Sequence, residues 1–368
     1  MALSKKKVLP VQYDLQEIKK ELGKMCRHIE IMEIPAESSK LNKYGLILKT
    51  FFTSESLSVI YYRSAEMHRK IQEIVSNVKF DVAHFDTISL AEYAEDVGYT
   101  KKLLNHHNME SDLLKKRSLI EKNILKKIYY KKEAKKLNRY EREQCKRFDI
   151  NFTVSDLDKE LLLEVVPEIK IEVIPNGVDT EYFNQKDTPH RKGSLIIVSG
   201  MNWYPNRDAV IYMCKEIWPL LTKEFPDISL TVVGAQPPKI LIDLSKTDNR
   251  ITVTGFVDDI RPYMEKAEIY LCPMRDGGGT RLKILDAMAL GKAIVSTTKG
   301  CEGLDVTPGE NVLIADTPSQ FVSRIKEVLA TPELRKMLGM EARKLAKEKY
   351  SWEVIGKSLF NIYRGLAQ

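Results

Sequence analysis

The stretch Pro273–Gly291, PMRDGGGTRLKILDAMALG, decides how the chain is read. An apolar run, EIYLCP (268–273), ends at its first residue. Three glycines follow, and an amphipathic helix opens near Thr280. Glycines permit close backbone approach, and a helix start offers free N–H groups at a positive dipole end. Arg281 and Lys283 stand in that first turn, where cations are unfavourable unless an anion is bound, so the block reads as an anion site. The plainer alternative is a glycine turn carrying surface cations. No G-K-[ST] or G-x-G-x-x-G sequence accompanies it, which disfavours a P-loop or a dinucleotide fingerprint.

Working outward, β-branched runs alternate with helical stretches from Ser194 onward. The strands predicted are 195–199, 229–234, 251–255, 268–273, 293–297 and 312–315, with helices at 206–223, 237–246, 258–266, 281–290 and 317–329. That alternation specifies an α/β domain, a parallel sheet covered on both faces, whose ligands bind beyond the strands' carboxyl ends. The first half follows a similar plan: strands at 29–34, 80–85, 102–106, 150–154 and 171–175, and helices at 12–25, 63–77 and 88–96, with one long helix or a pair over 109–147. The expected domains are 1–176, 177–346, and a final helix at 347–366 (KEKYSWEVIGKSLFNIYRGL) within 347–368. The first 22 residues hold no glycine and no convincing strand, so the N-terminal domain is expected to lack its usual front.

Composition narrows the class. The chain has 368 residues, 43% apolar and 30% charged, with no apolar run of spanning length and no signal-peptide core. Five scattered cysteines without a C-x-x-C pair fit a reducing, cytoplasmic setting rather than a disulfide framework or zinc cluster. The net charge is +7, yet residues 112–147 alone hold 14 Lys/Arg against five Asp/Glu. One basic segment on a neutral body points to a local anionic surface; its aromatics (Tyr129, Tyr130, Tyr140) and apolar residues permit a basic amphipathic helix at the inner face of a membrane. A solvated helix face is the plainer reading. Nucleic acid is disfavoured, because no binding motif accompanies the charge.

Five stretches in order, VIPNGVDTEYF (173–183), SGMNWYPNRDAV (199–210), VTGFVDDIRPY (253–263), GGGTRLKILDAMALG (277–291) and STTKGCEGL (296–304), closely resemble the group 1 (family 4) glycosyltransferases. FDVAHFD (80–86), LNHHNMES (104–111) and FTVSDLDKELL (152–162) match more loosely. The resemblance implies a GT-B architecture: two Rossmann-like domains with an inter-domain cleft and the nucleotide-sugar donor site in the C-terminal one. It implies retaining transfer of a hexose-type sugar from a nucleoside diphosphate to a hydroxyl acceptor, without metal or cofactor. Glycan or lipid-linked acceptors and polysaccharide or glycolipid synthesis go with it. By the same resemblance Gly200 and Asn206 stand beside the diphosphate, and Gly255, Phe256 and Val257 hold the base. The helix start, Gly279, Thr280 and Leu282, receives the distal phosphate, with Arg281 neutralising the leaving group and Lys283 a second candidate for that role; Gly278 belongs to the same donor site.

Two departures from the family's paired glutamates are Gly278, which cannot touch the donor sugar, and Asp286, one methylene shorter but able to accept ribose hydroxyls. A subset of the family shares the triple glycine followed by Thr-Arg. His107 matches a strand-end histidine facing the donor sugar; a histidine packed at a turn is its alternative, and His106 is the weaker candidate. Asp156 and Asp158 spell D-x-D but sit at a helix start, where Ser155 and Asp156 read as caps rather than metal ligands. Trp203 and Trp218 are expected in a core or interface; the resemblance implies that the final helix crosses back to the first domain, with Trp352 and Phe360 anchoring that contact. The rival function is a nucleotide-sugar-binding protein that is catalytically incomplete or partner-dependent; an epimerase of the same fold fits the five stretches less well.

Overall fold

The strands of the second half are β-branched because their sheet is buried on both sides. The computed structural model describes residues 2–4, 15–185, 189–277 and 281–368. In chain order the strands are β1 (Ala2–Ser4), β2 (Ile31–Glu33), β3 (Val82–Phe85), β4 (Lys101–His106), β5 (Ile150–Thr153) and β6 (Ile171–Val173). They continue with β7 (Ser194–Val198), β8 (Ser229–Val233), β9 (Ile251–Gly255), β10 (Ile269–Cys272), β11 (Ala293–Ser296) and β12 (Leu313–Ile314). By contacts the chain divides into two units, 1–153 with 159–172 and 363–368, and 154–158 with 173–362. Each is an α/β unit built on a parallel sheet.

In the second unit the sheet order is β12-β11-β10-β7-β8-β9. β7 pairs with β8 (Leu195 opposite Leu230) and with β10 (Leu195 opposite Ile269). The period of two sends Leu195, Ile197, Leu230, Val232, Ile269 and Leu271 into one apolar layer. Ile196, Val233, Tyr270, Cys272 and Ile294 enter the other. Helices 204–224 and 318–330 cover the first layer, and helix 282–289 with part of 332–349 covers the second. The chain runs outward from β7 in one direction and from β10 in the other, so the two strands flank the topological switch point, where such sheets bind ligands.

The first unit holds the order β3-β4-β5-β6, with β3, β4 and β5 parallel, and a separate parallel pair of β1 and β2. Its core gathers Phe85, Ile88, Leu104, Cys145 and Leu162.

Several expectations change. Residues 2–4 do form a strand, paired Ala2 to Ile31, where none was expected. Its three residues are too few to show a period. Of the two forms expected for the basic segment the pair holds, as helices Glu110–Ile120 and Ile124–Gln144, with Asn123 capping the second through Lys126 N (3.1 Å). Stretch 88–95 is a 3-10 helix rather than an α-helix. Helix 204–224 contains a π turn at Met213–Ile217, just before Pro219, whose missing N–H interrupts the regular ladder. Helices Lys40–Phe52, Leu57–Ile60 and Pro332–Lys349 lacked a sequence assignment. The expected final helix is split: one helix ends at Lys349, and Trp352–Ala367 starts anew, its Ser351 Oγ accepting from Val354 N at 3.3 Å. Trp352 lays its ring over Gly177, and Phe360 is exposed. Trp218 is buried and donates to Asp248 (3.0 Å), whereas Trp203 is half exposed rather than core.

One glycine sets the floor of the switch point. Gly234 follows β8 at φ +145°, and a Cβ there would stand 1.9 Å from the Ser199 carbonyl oxygen. Both the conformation and the contact exclude a side chain. Gly234→Ala is expected to destabilise the chain by more than about 3 kcal/mol, read by urea unfolding. Wild-type stability in that variant would show that the strand-end packing is not tight.

Candidate functional site

The site grows from three strand ends. After β7 the chain turns through Ser199 and Gly200, with Ser199 N donating to Val233 O (2.8 Å) and Met201 N to Ala235 O (3.0 Å). These bonds tie the turn to the end of β8. Helix 204–212 begins just beyond and presents Asn206, whose Nδ2 donates to Gly200 O at 2.8 Å.

After β10, residues 273–277 lead to the start of helix 282–289. Gly277 has φ +110°, and a Cβ on it would meet Arg281 Nη2 (3.1 Å), Trp203 (3.2 Å) and Pro205 (3.3 Å). Trp203 and Arg281 are therefore brought to one glycine. Arg281 is 3% exposed at the N-cap of the helix, and burial lowers its pKa.

Lys283 crosses from this helix to the β7 turn. Its Nζ donates to Ser199 Oγ (3.0 Å) and Asn206 Oδ1 (2.5 Å). Both partners are neutral. Among the described residues the amine has no carboxylate partner, and burial lowers its pKa. A desolvated cation held only by neutral dipoles at a helix start is prepared for an anion. One turn on, Asp286 has no hydrogen-bond or ion-pair partner among the described residues, and burial pushes its carboxyl up to about 7.

β9 supplies the third edge. Gly255 has φ +71°, and its carbonyl accepts from Gly234 N (2.8 Å), which ties this turn to the end of β8. Phe256 is 55% exposed beside it, and Val257 packs on the second apolar layer. Leu282 is half exposed. Gly278, Gly279 and Thr280 lie outside the described residues. The structure thus brings Gly200, Asn206, Arg281, Lys283 and Asp286 around the β7 and β10 ends, with Gly255–Val257 on β9. Ser199, Trp203 and Gly277 join them; Ser199 closes the predicted 195–199 strand and opens the 199–210 stretch, and those were its signals.

A second polar group sits at the β3 and β4 ends of the first unit. His107 Nε2 meets Asp86 Oδ1 at 3.2 Å, and that bond raises the imidazole pKa. Asn105 donates to the same Asp86 oxygen at 3.1 Å. His84 Nδ1 bonds Tyr363 Oη, and burial lowers its pKa. His106 is buried against Asn151 (3.1 Å) and held to about 4 by desolvation, so it stays neutral. Asp86 was missed, although it follows the FDVAHF strand directly.

The D-x-D pair lies in the first turn of a helix capped by Ser155, whose Oγ accepts from Asp158 N (3.1 Å) and donates to Asp158 Oδ2 (2.5 Å). Among the described residues no group of three or more His, Cys, Asp or Glu side chains is placed to hold a metal. None of the helices among them is long and apolar enough to cross a membrane.

Comparisons with known proteins bear on the fold and the family. Residues 192–331 match the family model "Glycosyl transferases group 1", and residues 38–182 match "Glycosyltransferase Family 4". The chain is 27% identical over 310 residues to an uncharacterized 44.6 kDa protein in the cps region of Klebsiella pneumoniae, covering 79% of this chain and 76% of that one. It is 24% identical over 226 residues to a phosphatidyl-myo-inositol mannosyltransferase of Mycobacterium tuberculosis, covering 58% of this chain and 59% of that one. Among solved structures, Anabaena Alr3699/HepE in complex with UDP superposes with TM-score 0.62 at 13% identity, over 95% of this chain and 89% of that one. The fold is that of the GT-B glycosyltransferases. The two matched domains support placing the chain in the group 1 and family 4 glycosyltransferases.

The Asp286 shift has a checkable sign. A carboxyl raised to about 7 keeps its proton in the folded chain, while the unfolded chain releases it above about pH 4. Stability at this position is therefore lost as pH rises from about 4 to about 7. Asp286→Asn should melt higher than wild type at pH 8 and equally near pH 4. Equal melting temperatures at pH 8 would mean the carboxylate is well solvated or paired.

Proposed function

We propose that this chain transfers a hexose-type sugar from a nucleoside diphosphate to a hydroxyl acceptor, with retention and without a metal ion. The observation that carries the reading is Lys283, a buried amine held by Ser199 and Asn206 at the switch point and lacking a carboxylate among the described residues. Together with Arg281 it supplies positive charge where a diphosphate would rest at a helix start. The departing nucleoside diphosphate gains charge in the transition state, so these cations would stabilise the transition state more than the bound donor. We assign Gly200 and Asn206 to the diphosphate edge, Gly255–Val257 to the base, and Asp286 to the ribose hydroxyls. Gly279–Leu282 is assigned to the distal phosphate, and His107, oriented by Asp86, to sugar recognition. The acceptor class is a glycan or lipid-linked hydroxyl in cell-surface assembly on the cytoplasmic side. The family matches and the UDP-bound Anabaena neighbour support a nucleotide sugar as donor.

Removing either cation tests the assignment. Arg281→Ala and Lys283→Met should each weaken binding of UDP or GDP, whichever binds, by roughly 1.5–3 kcal/mol, about ten- to a hundredfold in Kd by calorimetry. Wild-type affinity in folded variants would remove both residues from the phosphate role.

A further inference from the structure

The first unit carries an apolar surface that donor binding leaves unused. Helix Lys40–Phe52 places Leu41, Tyr44, Leu48 and Phe52 at spacings of three and four, hence on one stripe. All four are exposed, by 83%, 69%, 63% and 85%. A helix normally turns such a stripe to the core. Here the opposite side is the packed one, with Thr50 buried.

The stripe continues onto the basic helix Ile124–Gln144. Phe51 packs on Tyr129 with ring centroids 5.2 Å apart, the Lys132 amine lies 6.0 Å from the Phe51 ring, and Lys136 Nζ donates to Thr50 O. Leu125 and Ile128 sit one turn before Tyr129 and Lys132 on that same side, and Ile124 joins them; all three are exposed. Leu119 and Ile120, at the end of the preceding helix, are exposed as well. Exposed apolar residues scattered singly need no explanation, but this many on adjoining elements mark an interaction surface. Lys131, Lys132 and Lys135 stand exposed one to two turns on, along the side that carries Ile124 and Ile128.

The charge chooses the occupant. A second copy would set the same lysines against each other at close range, which is unfavourable. Long aliphatic and aromatic side chains interleaved with lysines instead suit a bilayer interface, where the apolar groups enter the acyl boundary and the amines meet anionic headgroups. We propose that helix 40–52 and the first turns of helix 124–144 form one docking surface for an anionic lipid bilayer, in which the stripe Leu41–Tyr44–Leu48–Phe52 inserts and the lysines supply attraction. The proposal stands apart from the donor-site reading, since it uses none of those residues.

The test is co-sedimentation of the full chain with vesicles of neutral phosphatidylcholine, or of the same lipid with about one third phosphatidylglycerol. Binding is expected to the anionic vesicles only, and to weaken as salt rises. The double variant Leu48→Ser/Phe52→Ser keeps every charge and should bind at least about tenfold more weakly, because insertion of apolar area is lost. Lys131→Glu/Lys135→Glu should weaken binding and flatten its salt dependence. A wild-type melting curve, with unchanged affinity for any nucleoside diphosphate that binds, serves as the fold control and separates this proposal from the donor-site reading. No sedimentation with anionic vesicles overturns the proposal. So does equal binding by the serine variant, or a self-association of the chain that this variant abolishes without any vesicle binding.

Discussion

The second unit depends on a lysine that has no carboxylate partner among the described residues. Lys283 Nζ is held by Ser199 Oγ and Asn206 Oδ1, one from the turn after β7 and one from the next helix. Burying an ammonium is costly, and neutral dipoles offset that cost only in part. Ser199 can present its oxygen because its own backbone is tied to Val233 and because Gly234 has no side chain to push it away. Asn206 is fixed in turn by Gly200 O. The strand order, the glycine and the two hydrogen bonds are parts of a single constraint: a positive charge at the point where the sheet reverses direction.

Around that charge the remaining groups fall into complementary roles. Arg281 lies in the same helix start, and Asp286 lies one turn further with a carboxyl that burial keeps near neutrality. A cationic end and a hydroxyl-accepting carboxylate on one short helix suit a ligand with a phosphate at one end and a polyol beside it. Exposed Phe256 and the positive-φ Gly255 border the site on the β9 side. In the first unit, the His107–Asp86 pair stands at strand ends too, so both sheets place polar side chains at their carboxyl edges.

How much of this was legible follows from what each element buries. β7, β10 and β11 read clearly because both their faces are covered, which favours apolar residues at nearly every position, while β8 and the edge strand β9 read from their alternation with threonine. The helix near 281 was legible from its own amphipathic spacing. The partners of Lys283 were not, since Ser199 and Asn206 lie 84 and 77 positions away and only the closed sheet brings them near. Helix 40–52 escaped because its apolar stripe faces outward and Gly45 interrupts it, so periodicity alone gave no core to attach it to. The break at Ser351 rests on a single cap, a signal hidden inside a continuously helical composition.

The most direct measurement is calorimetric titration of the chain with UDP, GDP and their hexose conjugates, followed by assay of each binder for release of free sugar. The account predicts saturable binding of one nucleoside diphosphate at a single site, with slow hydrolysis of its hexose conjugate. A folded chain that takes up none of these ligands would contradict the claim that the Lys283 site is built for a nucleoside diphosphate.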